Sequence, residues 1–281
     1  MENVRNYIQN VNLKTRLHDE YESIKDEEQF RNCMMEGFER FLSIKDLHKG
    51  EEAIVMGLGP SLLEIDKDRY EHCTKITCNH FQKVPNFFEG SFKPDYWCGA
   101  QGIEYLEDTF LNCINQGTRS FITIAKKTEF EQLIEKHKDK EAFKKYSYPW
   151  IWENQVFQKM LAEKYGKKNI YSRCNTITNH MIALSLWLGF SKIYITGFDL
   201  SYNIAMNKGG HTHAGFTIEK DNGESGIASS GMNAFEDIAE RGQILKDLKY
   251  FCKIAYENNI EIHNLSHHNN KLPYNLSFKK T

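Results

Sequence analysis

The chain has 281 residues, of which 40% are hydrophobic and 26% charged, and its formal net charge is −2. That balance excludes a disordered chain and gives no overall reason to expect nucleic acid, which selects a basic domain or stripe. The first twenty residues carry Glu2, Arg5, Lys14, Arg16, Asp19 and Glu20 without an apolar run. No window reaches the ~18 uninterrupted apolar residues of a spanning helix, so a cytoplasmic protein is expected. Peripheral membrane contact and self-association are left open by these data.

Residues 1–50 are read as an N-terminal helical extension, because Tyr21, Ile24, Phe30, Met34, Phe38, Phe41 and Leu42 recur mostly at three- and four-residue steps among charged residues. Such helices either cap a core or meet a partner subunit. From residue 51 the pattern changes. Ala53-Ile54-Val55-Met56 is a short apolar run ending in Gly57-Leu58-Gly59-Pro60-Ser61, the order expected of a buried parallel strand, a glycine turn and a helix start. Further strands are expected at Lys75–Cys78, about 94–98 and Ser120–Ile124, with a helix around Glu104–Gln116 between the last two.

Residues 126–168, rich in Lys and Glu with scattered aromatics, suit helices and a surface loop more than sheet, and are read as a lid or partial subdomain. An apolar helix from Thr176 to Leu188 leads through Gly189 into a strand, Lys192–Asp199. Residues 203–231 hold six glycines and few apolar residues, and read as a long functional loop, a second lid. A final helix, about Asn233 to Asn258, precedes the strand Glu261–Leu265. Strands alternating with helices predict a Rossmann-like α/β domain over 51–281, with a mostly parallel sheet covered by helices on both faces. Ligands of such sheets bind beyond the carboxyl ends of the strands, where strand order reverses.

The candidate site residues fall at those ends. Gly57 and Gly59 allow close backbone approach, Pro60 fits a first helical position, and Ser61 can turn its hydroxyl toward the turn, leaving free N–H groups such as that of Leu58 aimed at an anion, with a tight turn that binds nothing as the alternative. The third glycine of G-x-G-x-x-G is replaced by Leu62, and no G-K-[ST] follows. Asn79 either contacts a ribose or base edge or closes an Asx turn. Arg173, Asn175 and Thr176 open the apolar helix, as a plain N-cap or as partners of phosphate or carboxylate. Asp199 accepts hydrogen bonds from a ligand or caps the next turn. His211 and His213, in the glycine-rich loop, are candidate general bases, with ordinary solvated histidines as the alternative. Seven cysteines without C-x-x-C pairs read as reduced, buried residues, and the spacing template of a zinc site is missing.

Residues 54–62, 77–81 and 188–199 together resemble the successive motifs of the bacterial family 42 sialyltransferases. They also resemble the related group of motility-associated flagellin glycosyltransferases and 6-hydroxymethylpterin diphosphokinase MptE-like proteins, to which Pro94-Asp95-Tyr96 is more similar. The resemblance spans roughly residues 52–104 and 170–266. It implies a GT-A-variant Rossmann-like fold and a glycosyltransferase moving a sialic-acid-like sugar from a CMP-activated donor to an acceptor in lipopolysaccharide or capsule biosynthesis, with no metal required. It carries donor contacts onto Gly57, Gly59, Pro60, Ser61, Asn79, Thr176 and Asp199, and onto Asn264 and Ser266 after the last strand. Leu58 and Cys174 depart from the family's asparagine and arginine, Arg173 being adjacent to the latter. The family's histidine position near the last helix has no counterpart in 226–231, which leaves His211 or His213 to serve. The alternatives are a diphosphokinase using ATP, with magnesium on Asp95 and Asp199, and a nucleotide-binding scaffold without turnover.

Overall fold

The computed structural model describes residues 27–84, 86–99, 103–124, 132–133, 135–137, 140–151, 155–167, 177–198, 212–213, 216–217 and 234–265. Its centre is a seven-stranded sheet in which every pairing is parallel: β1 (Glu52–Met56), β2 (Thr74–Cys78), β3 (Tyr96–Gly99), β4 (Arg119–Ile124), β5 (Ser147–Ile151), β6 (Lys192–Thr196) and β9 (Glu261–Asn264). The spatial order is β5-β4-β3-β2-β1-β6-β9, and β7 (Thr212–His213) and β8 (Phe216–Thr217) form a separate antiparallel pair. The chain therefore lays down β1 to β5 in one direction, then returns to the far side of β1 with β6 and β9. Strand order reverses between β1 and β6.

Right-handed crossovers fix where the helices lie. Helix α2 (Ile103–Asn115) joins β3 to β4, and α5 (Ile177–Leu188) precedes β6 after the direction has changed, so the two cover opposite faces. Buried on both sides, the inner strands need no alternation: Ala53, Ile54, Val55 and Met56 are all fully buried. Helix α5 is buried nearly all round, Met181 to Leu184 and Leu186 to Leu188 together with the polar Asn179, His180 and Ser185, because the sheet covers one side and α6 (Ala234–Glu257) packs on another.

Of the two roles open to the N-terminal helices, α1 (Glu27–Ser43) takes the capping one: Phe38, Phe41 and Ile44 belong to the main core. Phe41 stacks on Trp187 with centroids 5.3 Å apart, and the Arg40 guanidinium donates to the Ser147 carbonyl at 3.0 and 3.2 Å. The core needs a cover beside β5, and α1 supplies it. Residues 126–168, besides α3 (Glu141–Tyr146) and α4 (Gln155–Lys164), contain the strand β5, which sequence patterning hid because Pro149 interrupts it. Among the described strands β5 is an edge strand bonded only to β4, the place where a missing N–H is tolerated. The five cysteines with described side chains, Cys73, Cys78, Cys98, Cys113 and Cys252, are free and buried as expected.

Candidate functional site

At the strand-order reversal the turns after β1 and β6 interlock through glycine. A Cβ on Gly57 would lie 2.4 Å from the Gly197 carbonyl oxygen, and one on Gly197 would lie 2.1 Å from the Gly57 oxygen. Gly197 also has φ +67°, a conformation that side chains rarely adopt. Neither position accepts another residue without moving backbone. Hydrogen bonds close the contact: Gly57 N–H donates to Thr196 O at 2.9 Å and Gly59 N–H to Gly197 O at 2.8 Å. Ser61, 1% exposed, accepts from Gly197 N–H at 3.1 Å, while the Thr196 hydroxyl donates to Ser61 O.

This alters the expected anion cradle. The amides of Gly57 and Gly59 and the Ser61 hydroxyl are turned inward to hold the two turns together, because the chains approach too closely for any outside group to enter between them. The Leu58 amide lies between the two glycines and has no acceptor among the described residues. Pro60 opens a 3-10 helix, Pro60–Glu64, rather than an α-helix.

Asn79 follows β2 with φ +42°, a left-handed conformation in which asparagine is among the least strained residues. Its backbone is held twice, its N–H donating to Cys98 O at 3.0 Å and its carbonyl accepting from Trp97 Nε1 at 2.8 Å. The buried Trp97 ring lies where a side chain on Gly99 would be, a Cβ there coming within 2.5 Å of it. Trp97 is the positioning residue that sequence reasoning missed, and no spacing pattern marks it. The thiols of Cys78 and Cys98, one residue from this turn or bonded to it, are fully buried; burial pushes Cys78 up to about 12 and Cys98 well above its ordinary value. Neither serves as a thiolate nucleophile.

The last strand brings a fourth segment to the same edge. Asn264 ends β9 opposite Ile195, and Leu265 N–H donates to Ile195 O at 2.7 Å. Helix α5 runs against the strands: its last residues bond to the chain just before β1, through Asp46 N–H to Trp187 O and His48 N–H to Leu188 O. Its first residue, Ile177, is therefore about 18 Å away toward the carboxyl edge. Arg173, Asn175 and Thr176 precede it and, like Asp199, His211 and Ser266, lie outside the described residues. His213 ends the short strand β7, and its side chain is also outside them.

Asp95 is on the opposite edge. Its carboxylate accepts from Lys75 N–H at 2.8 Å, and its carbonyl from Arg119 N–H at 3.1 Å, ahead of the first residues of β3 and β4. A strand of four residues, about 13 Å at ~3.3 Å each, separates it from the carboxyl edge. Asp95 is thus a strand's length from the crevice, and Asp199, the other carboxylate offered to magnesium, lies outside the described residues.

A parallel sheet with the glycine turns after β1 and β6, Asn79 and Asn264 gathered at its reversal point defines the class: an α/β protein of the Rossmann-like, doubly wound kind. The 6-hydroxymethylpterin diphosphokinase MptE-like family matches residues 29–205, and the chain belongs to that family. No curated protein sequence matches it. Among solved structures it is similar to the sialyltransferase CstII from Campylobacter jejuni in complex with cytidine-5'-monophosphate, with 17% identity, 83% of this chain and 89% of that one covered, and a TM-score of 0.48. A complex of the sialyltransferase CST-II with trisaccharide acceptor and CMP gives 16% identity, 82% and 89% coverage, and a TM-score of 0.46. No helix among the described residues is long and apolar enough to cross a membrane.

Proposed function

We propose that this protein is a glycosyltransferase that takes a sialic-acid-like sugar from a CMP-activated donor and passes it to a hydroxyl of a surface-glycan acceptor. The observation that carries the reading is the Gly57–Gly197 interlock at the strand-order reversal. It fixes the chain on either side of a crevice where nucleotides bind in sheets of this kind. In this reading the Leu58 amide and the α5 start, with Thr176, Asn175 and Arg173, bind the phosphate. Asn79, Asp199, Asn264 and Ser266 hold the nucleoside. His213 or His211 accepts the proton of the acceptor hydroxyl as its oxygen bonds to the sugar's anomeric carbon and CMP departs with the bonding pair.

A second reading, an ATP-dependent diphosphokinase, is favoured by the description of the matching family. Asp95, one of the carboxylates offered to magnesium in that reading, accepts from Lys75 N–H at the amino-terminal edge, which favours the transferase. The two are separated by thermal unfolding of the full chain with CMP, and with ATP and magnesium. A stabilisation by CMP of about 2.7 kcal/mol at a hundredfold excess over Kd, absent with ATP and magnesium, supports the transferase. The reverse pattern selects the kinase, and no response to either overturns both. Asn79→Gly keeps the backbone conformation and removes only the side chain, so it is expected to abolish the CMP response without lowering the ligand-free melting temperature by more than a few degrees. Hydrolysis of CMP-sugars by wild type that survives both His211→Ala and His213→Ala removes the base assignment.

A further inference from the structure

At the amino-terminal edge of the sheet, away from the crevice, the first residue of β1 meets the turn before β2. Glu52 Oε2 lies 3.1 Å from His72 Nε2, and His72 Nε2 lies 3.6 Å from Cys73 Sγ. The three ligand atoms all fall within 4.8 Å of one another, and theirs is the group of metal-ligating side chains found among the described residues. With bonds of about 2.3 Å to sulfur and 2.0–2.2 Å to nitrogen and oxygen, tetrahedral coordination requires N to O and N to S edges of about 3.4 and 3.6 Å. Those two edges are within a few tenths of an ångström of the values required, and the oxygen-to-sulfur edge, which lies within 4.8 Å, is set by rotation of the Glu52 side chain as the metal enters.

The surroundings hold the ligands in place. Cys73 N–H donates to Tyr70 O at 3.1 Å, which fixes the turn. Lys192 Nζ donates to Glu52 Oε1 at 3.0 Å and the Tyr194 hydroxyl to Oε2 at 3.2 Å, so the carboxylate is oriented by partners of the kind that surround metal ligands. Cys73 is buried while the His72 side chain is 60% exposed, which gives an entry path from solvent.

We propose that Glu52, His72 and Cys73 form a zinc-binding site, with water as the fourth ligand, that ties the turn before β2 to the start of β1. The thiol sulfur selects a zinc-class ion over magnesium or calcium. On binding, the Cys73 S–H proton is released to solvent as the zinc–sulfur bond forms, and His72 carries its remaining proton on Nδ1. No electron is transferred.

The test is titration of the tag-free full chain with Co2+, followed by displacement with Zn2+. One Co2+ per chain is expected, with a near-ultraviolet thiolate-to-cobalt absorption that zinc removes. That band should vanish in Cys73→Ser, persist in Cys113→Ser, and require at least about tenfold more Co2+ in His72→Ala. Absence of the band in wild type, or its persistence in Cys73→Ser, overturns the site. Should Cys73→Ser fail to fold, His72→Ala, altered at an exposed position, decides alone: unchanged Co2+ affinity there overturns the proposal. The outcome is independent of whether a nucleotide occupies the opposite edge.

Discussion

The two edges of the sheet are built from different interactions. At the amino-terminal edge, side chains bond to one another: Glu52 with Lys192, His72 and Tyr194; His48 with Glu51 at 2.7 Å and Tyr96 at 2.8 Å; Arg119 with the Tyr96 hydroxyl at 3.1 Å; Lys164 with Asp46 at 2.6 Å. At the carboxyl edge, the described contacts around the interlock are mostly backbone bonds and glycine clearances, with Ser61 turned inward. One edge fastens the strands to each other. The other holds backbone so closely that groups just beyond it are presented outward from a fixed base, which is what a ligand crevice requires.

The contrast predicts a graded set of responses. Gly197→Ala should be the most damaging, since its methyl would meet the Gly57 carbonyl at 2.1 Å from a left-handed backbone; a loss on the order of 3 kcal/mol or more is expected in urea unfolding, and a near-neutral result would break the interlock argument. Trp97→Phe removes the donor to Asn79 O and part of a buried ring. It should cost about 1–3 kcal/mol and weaken nucleotide binding several-fold through Asn79, as read by calorimetric titration.

A pH effect follows from His180 in α5, which burial keeps neutral by pushing it down to about 3. The unfolded chain takes up that proton near pH 6.5 and the native one only near 3, so stability falls as pH drops through this window. The slope is at most about 1.4 kcal/mol per pH unit. His180→Gln should flatten the curve of stability against pH between 6.5 and 4, whatever it does to absolute stability. The smallest effect is expected at the exposed pair of Lys136 with Glu107, where Lys136→Ala should change stability by less than about 1 kcal/mol, measured beside the other variants as a baseline.

Residues 52–56, 74–78, 103–115, 177–188 and 261–264 take the elements that their patterns predict, within a residue or two. Those patterns depend on burial along single segments, and a periodic apolar run reports burial directly. β5 escaped because Pro149 and the charged flanks outweigh a short aromatic run, and only its place at the edge makes proline acceptable. The place of α1 escaped for a related reason: amphipathic spacing gives the apolar face but not its partner.

At the candidate site, the glycine turn, Asn79 and Asn264 were legible as strand ends. The inward use of the Gly57 and Gly59 amides, the Trp97 bond to Asn79 and the position of Asp95 were not. Each depends on which strand lies beside which, and on the order in which the chain fills the sheet.

The amino-acid sequence by itself determined an alternating α/β chain, its buried strands, its reduced cysteines and the segments that end at glycine or asparagine. The tertiary structure alone decided that β1 and β6 are neighbours, that Gly57 and Gly197 exclude each other's side chains, and that Glu52 meets His72 and Cys73. Local patterns encode what a residue does to its own segment, whereas pairing between distant strands is settled by the packing of the whole sheet, to which no single segment holds the information.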